Sequence, residues 1–377
     1  MRIVVTGADG FIGKNLKIRL GELGYTELVS ITRDTELKAV QQALDDADFV
    51  FHLAGVNRPQ DPAEFATGNA GLTEVICNHL RAAGRKTPIL LTSSTQASLE
   101  NPYGVSKRGA EIVVRNYASE TGAPAFIFRL TNVFGKWARP NYNSAVTTFC
   151  HNLSHGLPIT VSAPDAPLNL VYIDDVVEAF VHCLSKERIE SASAKDADIF
   201  VEAGPVYSTT VGAVADIIRS FGKMRTDLIT APVGTGLVRA LYSTYVSYFE
   251  PKGFAYEVPR HADPRGVFVE MLKTPDCGQF SYFTAHPGVT RGEHYHHSKT
   301  EKFLVIKGTA RFGFRHIVTN EAYELITHGD EARIVETVPG WTHNITNIGQ
   351  DELIVMLWAN EIFDRQRPDT ISMKVEA

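Results

Sequence analysis

From Arg2 to about Phe249, short β-branched and aromatic runs alternate with stretches whose apolar positions recur every three to four residues. That alternation is the pattern of parallel strands joined by crossover helices. The strand segments are RIVVTG, ELVSIT, DFVFHLAG, PILLTSS, AFIFRLTN and DIFVEAG, and the helical ones include 11–23, 72–83 and 107–120. The periodicity predicts an α/β fold over residues 1–248. After SYFEPKGFAYEV the texture changes to GQFSYFTAH, EKFLVIKG, ARFGFRHIV, ARIVETVPG and ELIVMLWAN, strand-like runs punctuated by Gly, Pro, Asn and Asp. Little in 249–377 repeats at helical spacing, so this part reads as an all-β sandwich or barrel, with the boundary at 249–253.

A chain of 377 residues is about twice the usual single-domain length, in keeping with two domains. With 44% hydrophobic and 21% charged residues it can bury a large core. Its net charge of −6 gives no electrostatic reason to expect nucleic acid or an anionic membrane as partner. Cys77, Cys150, Cys183 and Cys277 lie far apart, in neither a disulfide-scaffold nor a C-x-x-C pattern, which fits a reducing compartment. The chain opens directly into RIVVTG without a charged and then apolar leader, and no apolar run approaches membrane-spanning length. A soluble cytoplasmic protein is expected.

In VTGADGFIG, Gly7, Gly10 and Gly13 stand at G-x-x-G-x-x-G spacing between a strand and a helix. Glycine is needed where the backbone turns tightly and lets a pyrophosphate approach the helix amides. The second strand ends SITRD. Arg33 there would accommodate a ribose 2′-phosphate, whereas Asp34 would bond a 2′-hydroxyl; Thr32 and Arg33 precede Asp34, and NADPH is the expected cofactor. In TSSTQASLENPYGVSK, Tyr103 and Lys107 are four apart at a helix start and share a face. The Lys107 ammonium is expected to favour phenolate and so make Tyr103 a proton donor near neutral pH, with Ser94 or Thr95 bonding the same substrate oxygen.

The motifs TGADGFIG, FHLAG, SST, YGVSK, RLTNVFG and YIDDV together resemble, in order, the extended short-chain dehydrogenase/reductase family over roughly the first 245 residues. The resemblance implies a Rossmann-like, doubly wound parallel sheet. It implies a cofactor held by Gly7, Gly10, Phe11, Ile12, Gly13, Arg33, Leu53, Ala54 and Lys107. It also implies a nucleotide-sugar site at Asn132 and the stretch FGKWARPNYN, with Lys136 and Arg139. One departure stands out: SSTQAS lacks the tyrosine–glycine pair that usually follows the serines, so Ser94 and Thr95 remain alternatives for the catalytic hydroxyl.

In GEHYHHSKTE, His294 and His296 alternate on one strand and face one side, while Tyr295 and His297 face the other. Glu301 follows a short turn, and VPGWTHNITN adds His343. Three imidazoles and one carboxylate suit Zn, Mn, Fe, Ni or Cu. Gly288, His294, His296, Glu301 and Gly308 resemble the first cupin motif, G-x5-H-x-H-x4-E-x6-G, at every position. The second motif is looser: Gly340, His343 and Asn347 fit, but Val338 stands where the family often has proline. Zinc is the expected ion, a Lewis acid without redox chemistry that this ligand set accommodates. His286, His297, Lys299 and Lys302 are unranked candidates for a base.

A ketone that a reductase consumes also acidifies the hydrogens on neighbouring carbons, so both sites can share one substrate. AGVNRP, NVFGKWARPNYNS and RGEHYHHSKTEKFLVIKG resemble the bifunctional CapF/WbjC-type enzymes of capsule and O-antigen synthesis across essentially the whole chain. That resemblance implies a homodimeric enzyme on a UDP-activated 4-keto amino sugar. The cupin would invert carbon 3, and the reductase would then reduce carbon 4 with NADPH. Two rivals are a single-activity reductase/epimerase with a structural, dimerising cupin, and a nucleotide-sensing module; Tyr103 and Lys107 speak against the latter.

Overall fold

The computed structural model describes residues 1–192, 198–263, 266–269, 278–361, 364 and 366–376. Cys277 lies outside them, while Cys77, Cys150 and Cys183 are buried free thiols. No described helix is long and apolar enough to cross a membrane. The chain divides into two compact units, Met1–Val133 with Asn169–Ser208, and Phe134–Leu168 with Thr209–Ala377.

The first unit is built on a parallel sheet of β1 (Ile3–Thr6), β2 (Leu28–Ile31), β3 (Phe49–His52), β4 (Ile89–Ser94) and β5 (Ala125–Leu130), in the order β2-β1-β3-β4-β5. Helices α1 (Phe11–Glu22), α2 (Leu37–Asp45), α3 (Leu72–Ala82) and α4 (Pro102–Thr121) connect the strands. α1 packs on the helix Ile173–His182, whereas α3 packs against both α2 and α4. β1 and β3 are buried throughout, as continuous apolar strands in a sheet covered on both faces should be. Val4, Val50, Leu91 and Ile127 meet Leu44, Ile76, Leu80, Val114 and Tyr117 in one core cluster. Each such side chain contributes about 1.5–3 kcal/mol when buried. Because β1 is flanked by β2 and β3, the chain reverses direction across the sheet beside β1. The crevice at the carboxyl ends of β1 and β3 is where such folds take ligands.

The α/β, doubly wound expectation is met, with local differences. DIFVEAG supplies no strand, only a bridge from Phe200 to Ile127. α4 starts five residues before the expected 107. Asn101 caps it by accepting the Gly104 N–H at 2.7 Å, and Pro102 takes the first helical position, where a missing N–H costs nothing.

The second unit contains two five-stranded antiparallel sheets, as the all-β reading expected. Their strands are β6 (Ala255–Glu257), β7 (Gln279–Ala285), β8 (Thr290–Tyr295), β9 (Glu301–Lys307), β10 (Thr309–His316), β11 (Ala322–His328), β12 (Arg333–Glu336), β13 (Trp341–Asn347), β14 (Leu353–Ala359) and β15 (Ile371–Ser372). One sheet runs β7-β14-β9-β12-β6, the other β11-β10-β13-β8-β15. Phe303 of the first meets Phe312 and His343 of the second, so the inner faces pack through aromatic rings.

Helices α5 (Ala145–Ser154), α6 (Val211–Asp227) and α7 (Gly236–Val246) belong to this same unit, although the periodicity placed them with the first domain. A buried carboxylate explains the grouping of α6 and α7. Glu336, at the end of β12, accepts from Arg225 of α6 at 2.5 Å, from the Tyr242 hydroxyl of α7 at 2.7 Å, and from Lys302 of β9. A linear cut after 248 would part these helices from the strand that holds their partner.

Candidate active sites

At the end of β1, Gly7 adopts φ +66°, and a Cβ there would lie 2.8 Å from the Ala54 nitrogen. A Cβ on Gly13 would lie 2.3 Å from the Gly7 carbonyl oxygen. Both positions therefore require glycine. Gly10 caps α1 with no side-chain bond, so the first-turn amides remain for an anion, and Phe11 and Ile12 follow half-buried. Leu53 and Ala54 leave β3 beside this turn. Arg33 and Asp34 are exposed just beyond β2. This cradle fits a dinucleotide pyrophosphate.

Behind the turn runs a buried chain of hydrogen bonds that the sequence did not reveal. Ala54 N–H donates to Thr6 Oγ1 at 3.1 Å, and Thr6 Oγ1 lies 2.7 Å from His52 Nδ1. His52 Nε2 lies 2.9 Å from Thr73 Oγ1, which itself donates to the Asn69 carbonyl. Thr73 must then accept from His52, which fixes the Nε2–H tautomer. Burial, followed by the charge of Lys107, lowers the His52 pKa to about 3, so the ring is neutral. Asn69, on the π-helical turn Ala66–Gly71, holds Val56 and donates to Ser106 at 2.9 Å; Ser106 donates to the Tyr103 carbonyl at 2.8 Å. The available signal was a histidine within the apolar FVFHLAG.

Tyr103 and Lys107 share the first turns of α4, as expected. The Tyr103 hydroxyl is hydrogen-bonded to Ser94. Ser94 is half-buried and also accepts the Gln96 N–H, whereas Thr95 is exposed. Of the two alternatives, only Ser94 meets the tyrosine. Lys107 behaves differently from the expectation. Its buried Nζ donates to the Thr92 carbonyl at 2.9 Å and lies 5.9 Å from the Tyr103 ring centre. Burial lowers its pKa to about 8 against the pull of Glu111. The Tyr103 pKa is raised rather than lowered, because burial outweighs the Ser94 bond. Glu111, beneath the site, accepts from Ser93 at 2.5 Å and from Arg129 at 2.6 and 2.9 Å.

The expected sugar-nucleotide residues fall in different units. Asn132, in the first, donates to the Asn169 carbonyl at 3.1 Å. In the second, Lys136 is buried with its Nζ 5.4 Å from the Trp137 ring centre, while Arg139 is exposed over Tyr142. Trp137 itself donates to His316 Nε2 at 3.2 Å.

In the second unit, His294, His296, Glu301 and His343 converge, each offering a ligand atom within 4.8 Å of the others. His294 lies on β8, His343 opposite it on β13 and Glu301 at the start of β9, so both sheets contribute. β8 ends at Tyr295, so His296 stands just beyond the strand. A bulge between Gly292 and His294, with Glu293 at φ +62°, shifts the register and aims His294 at His343. The ring centres of these two lie 4.7 Å apart. Tyr295 and His297 contact each other instead, at 5.6 Å.

Glu301 Oε2 lies 3.1 Å from His296 Nε2 and 3.5 Å from His343 Nε2, while Oε1 meets Lys299 Nζ at 2.8 Å. The Glu301 pKa falls well below its ordinary value, because the attraction of His296 and Lys299 overcomes burial. Burial and repulsion from His343 and His296 lower the His294 pKa to about 3, and burial lowers that of His343. His294 and His343 are thus neutral lone-pair donors, whereas Glu301 raises the His296 pKa against burial. His343 is buried; its Nδ1 meets no hydrogen-bond partner, and its Nε2 has the Glu301 carboxylate 3.5 Å away. Three imidazoles and one carboxylate whose ligand atoms converge in this way fit a divalent metal ion. Of the base candidates, Lys299 alone touches a ligand. Lys302 is taken up by Glu336, His286 is exposed, and His297 faces Tyr295.

Comparison with known proteins agrees with both halves. Residues 3–194 match the model of the NAD dependent epimerase/dehydratase family, and residues 261–371 match the polysaccharide biosynthesis C-terminal domain. A UDP-2-acetamido-2,6-beta-L-arabino-hexul-4-ose reductase of Pseudomonas aeruginosa is 54% identical over 375 residues, covering 100% of this chain and 99% of that protein. The crystal structure of the capsular polysaccharide assembling protein CapF from Staphylococcus aureus superposes with a TM-score of 0.67 at 39% identity, covering 99% of this chain and 100% of that one. UDP-glucose 4-epimerase of Thermotoga maritima, at 20% identity and a TM-score of 0.51 over 59% of this chain and 82% of its own, shares the fold. Matched over half its length by the first model and end to end by the two full-length relatives, the chain belongs to the NAD dependent epimerase/dehydratase family, in a branch that also carries a polysaccharide biosynthesis C-terminal domain.

Proposed function

We propose that the chain is a bifunctional nucleotide-sugar enzyme acting on UDP-2-acetamido-2,6-dideoxy-β-L-arabino-hexos-4-ulose. Residues 249–377, as a cupin, invert carbon 3; residues 1–248 then reduce the 4-keto group with NADPH, towards UDP-N-acetyl-L-fucosamine for capsule or O-antigen. The observation that carries the reading is the end-to-end 54% identity to a protein named for a reductase of such a ketosugar. The four converging ligands extend it to a second reaction. Assembly as a homodimer in the cytoplasm belongs to the same proposal.

When bound, NADPH supplies the hydride and a divalent ion, zinc in this reading, supplies Lewis acidity. The amides after Gly7, Gly10 and Gly13 hold the pyrophosphate, and Arg33 meets the 2′-phosphate. Tyr103, with its proton held firmly by burial, gives it to the carbon-4 oxygen as charge develops there, oriented by Ser94. Asn132, Lys136 and Arg139 keep their proposed substrate role. In the other domain, His294, His296, Glu301 and His343 hold the ion, and Lys299 is the candidate to move the carbon-3 proton. Epimerisation comes first, because once the ketone is an alcohol the neighbouring hydrogen is no longer acidic.

Incubation with the ketosugar in deuterated water, without NADPH, tests this. Deuterium should enter carbon 3, and His294→Ala should suppress the exchange more than about 100-fold, the upper end of effects from losing a metal ligand's support. A folded His294→Ala protein that exchanges at the normal rate would leave the metal site structural and the enzyme a single-activity reductase.

A further inference from the structure

The loop between β8 and β9 carries His296 and delivers Glu301, yet its main chain is held by one residue 73 positions from His296. Asp369 accepts the N–H groups of His297, Ser298 and Lys299 on its carboxylate, at 2.9, 2.7 and 2.7 Å, and the Ser298 hydroxyl at 3.1 Å. Its own carbonyl lies 2.5 Å from His296 Nδ1. A carbonyl can only accept, so Nδ1 is held as a donor and Nε2, 3.1 Å from Glu301 Oε2, is the ring nitrogen left facing the cluster. The side chain is 14% exposed, and Arg239 of α7 stands 4.0 Å away, partly balancing its charge.

The segment after Asp369 continues the brace. Ile371 and Ser372 form β15 and pair with Tyr295 and His294. Met373 N–H donates to the Glu293 carbonyl at 2.9 Å, and Val375 N–H to the Glu293 carboxylate at 2.8 Å, on the bulge that aims His294. Two of the four ligands are thus oriented by residues 369–375.

Building on the reading of this cluster as a metal site, we propose that Asp369 is a positioning residue for the metal: it fixes the 297–299 main chain and the ring orientation of His296, and so sets metal affinity. No other residue in the described structure collects three consecutive amides of this loop. Replacing its carboxylate with a methyl group leaves those donors without their acceptor and frees the loop to carry His296 away from Glu301.

The test uses the full-length, metal-stripped protein with Zn2+ and Co2+ as probes. Asp369→Ala should weaken Zn2+ binding about ten- to hundred-fold in competition with a chromophoric chelator, the usual range for losing a group that orients a ligand. It should also change the Co2+ visible spectrum and shrink the rise in melting temperature on adding Zn2+. Asp369→Asn, which keeps one acceptor oxygen and the shape, should fall between. Wild-type affinity and an unaltered Co2+ spectrum in Asp369→Ala would overturn the positioning role while leaving the metal reading intact. If wild type itself binds no Zn2+, the metal reading fails first. Should Asp369→Ala not fold by circular dichroism, Asp369→Asn decides, and wild-type affinity there overturns the proposal.

Discussion

The two sites treat buried polar groups in opposite ways. Around Tyr103 every link has its partner: Thr6, His52, Thr73, Asn69 and Ser106 form one continuous chain, and Lys107 rests on the Thr92 carbonyl. Around His343 the protein leaves the buried Nδ1 without one and crowds three imidazoles about a single carboxylate. An unmet buried donor or acceptor costs about 1–3 kcal/mol. The second site thus keeps a buried polar atom whose need the chain does not meet, whereas the first satisfies its polar groups from within the chain.

The sharpest way to break the comparison is Tyr103→Phe, which removes the phenolic proton and keeps the ring. NADPH oxidation should fall about 10²- to 10⁴-fold, the range of acid–base contributions. Carbon-3 deuterium exchange should persist, since the metal cluster is untouched. Loss of both would mean the two sites are not independent.

Buried charge offers the next contrast. Lys107 is held by a neutral carbonyl and its pKa is lowered, whereas Glu336 has Arg225, Lys302 and Tyr242 as donors and a pKa held at about 2, because those cations overcome burial. Glu336→Gln should cost about 3–5 kcal/mol in urea unfolding of the second unit, as leaving buried cations uncompensated does. The folded-state pKa lies below the ordinary 4.5. The stabilisation is therefore fully present above that value and drains away as pH falls towards 2. The variant should lose this acid-dependent limb; an unchanged pH profile would show that Glu336 is not the group responsible.

The smallest expected effect concerns cofactor choice. Arg33→Ala should lower kcat/KM for NADPH about ten- to hundred-fold, equivalent to roughly 1.5–3 kcal/mol for a charge-assisted phosphate contact, and barely change it for NADH. An equal loss with both cofactors would show that Arg33 does not read the 2′-phosphate.

The legible features were those whose geometry is set within a few residues. Gly7 to Gly13 announce a turn because only glycine fits against Ala54 and Ala8. Tyr103 and Lys107 fall on one face because a helix repeats every 3.6 residues. His294 and His296 share a side through strand alternation, although the strand itself stops at Tyr295. The same locality misled at Lys107. Sequence neighbours promised a cation favouring the Tyr103 phenolate, but the fold places Nζ on the Thr92 carbonyl and burial raises the Tyr103 pKa instead.

The sequence by itself determined the two element textures, the glycine turn and the set of three histidines and one glutamate that cluster, since each rests on backbone periodicity or on the space a side chain leaves. Tertiary structure decided which hydroxyl meets Tyr103, why His52 is neutral, which residue braces His296, and that α6 and α7 belong with the β-sheets. Those depend on partners dozens of residues apart, such as Asp369 with His296 and Glu336 with Arg225. No periodic signal carries such pairings, because a hydrogen bond is specified by where two distant atoms come to rest once the core has closed.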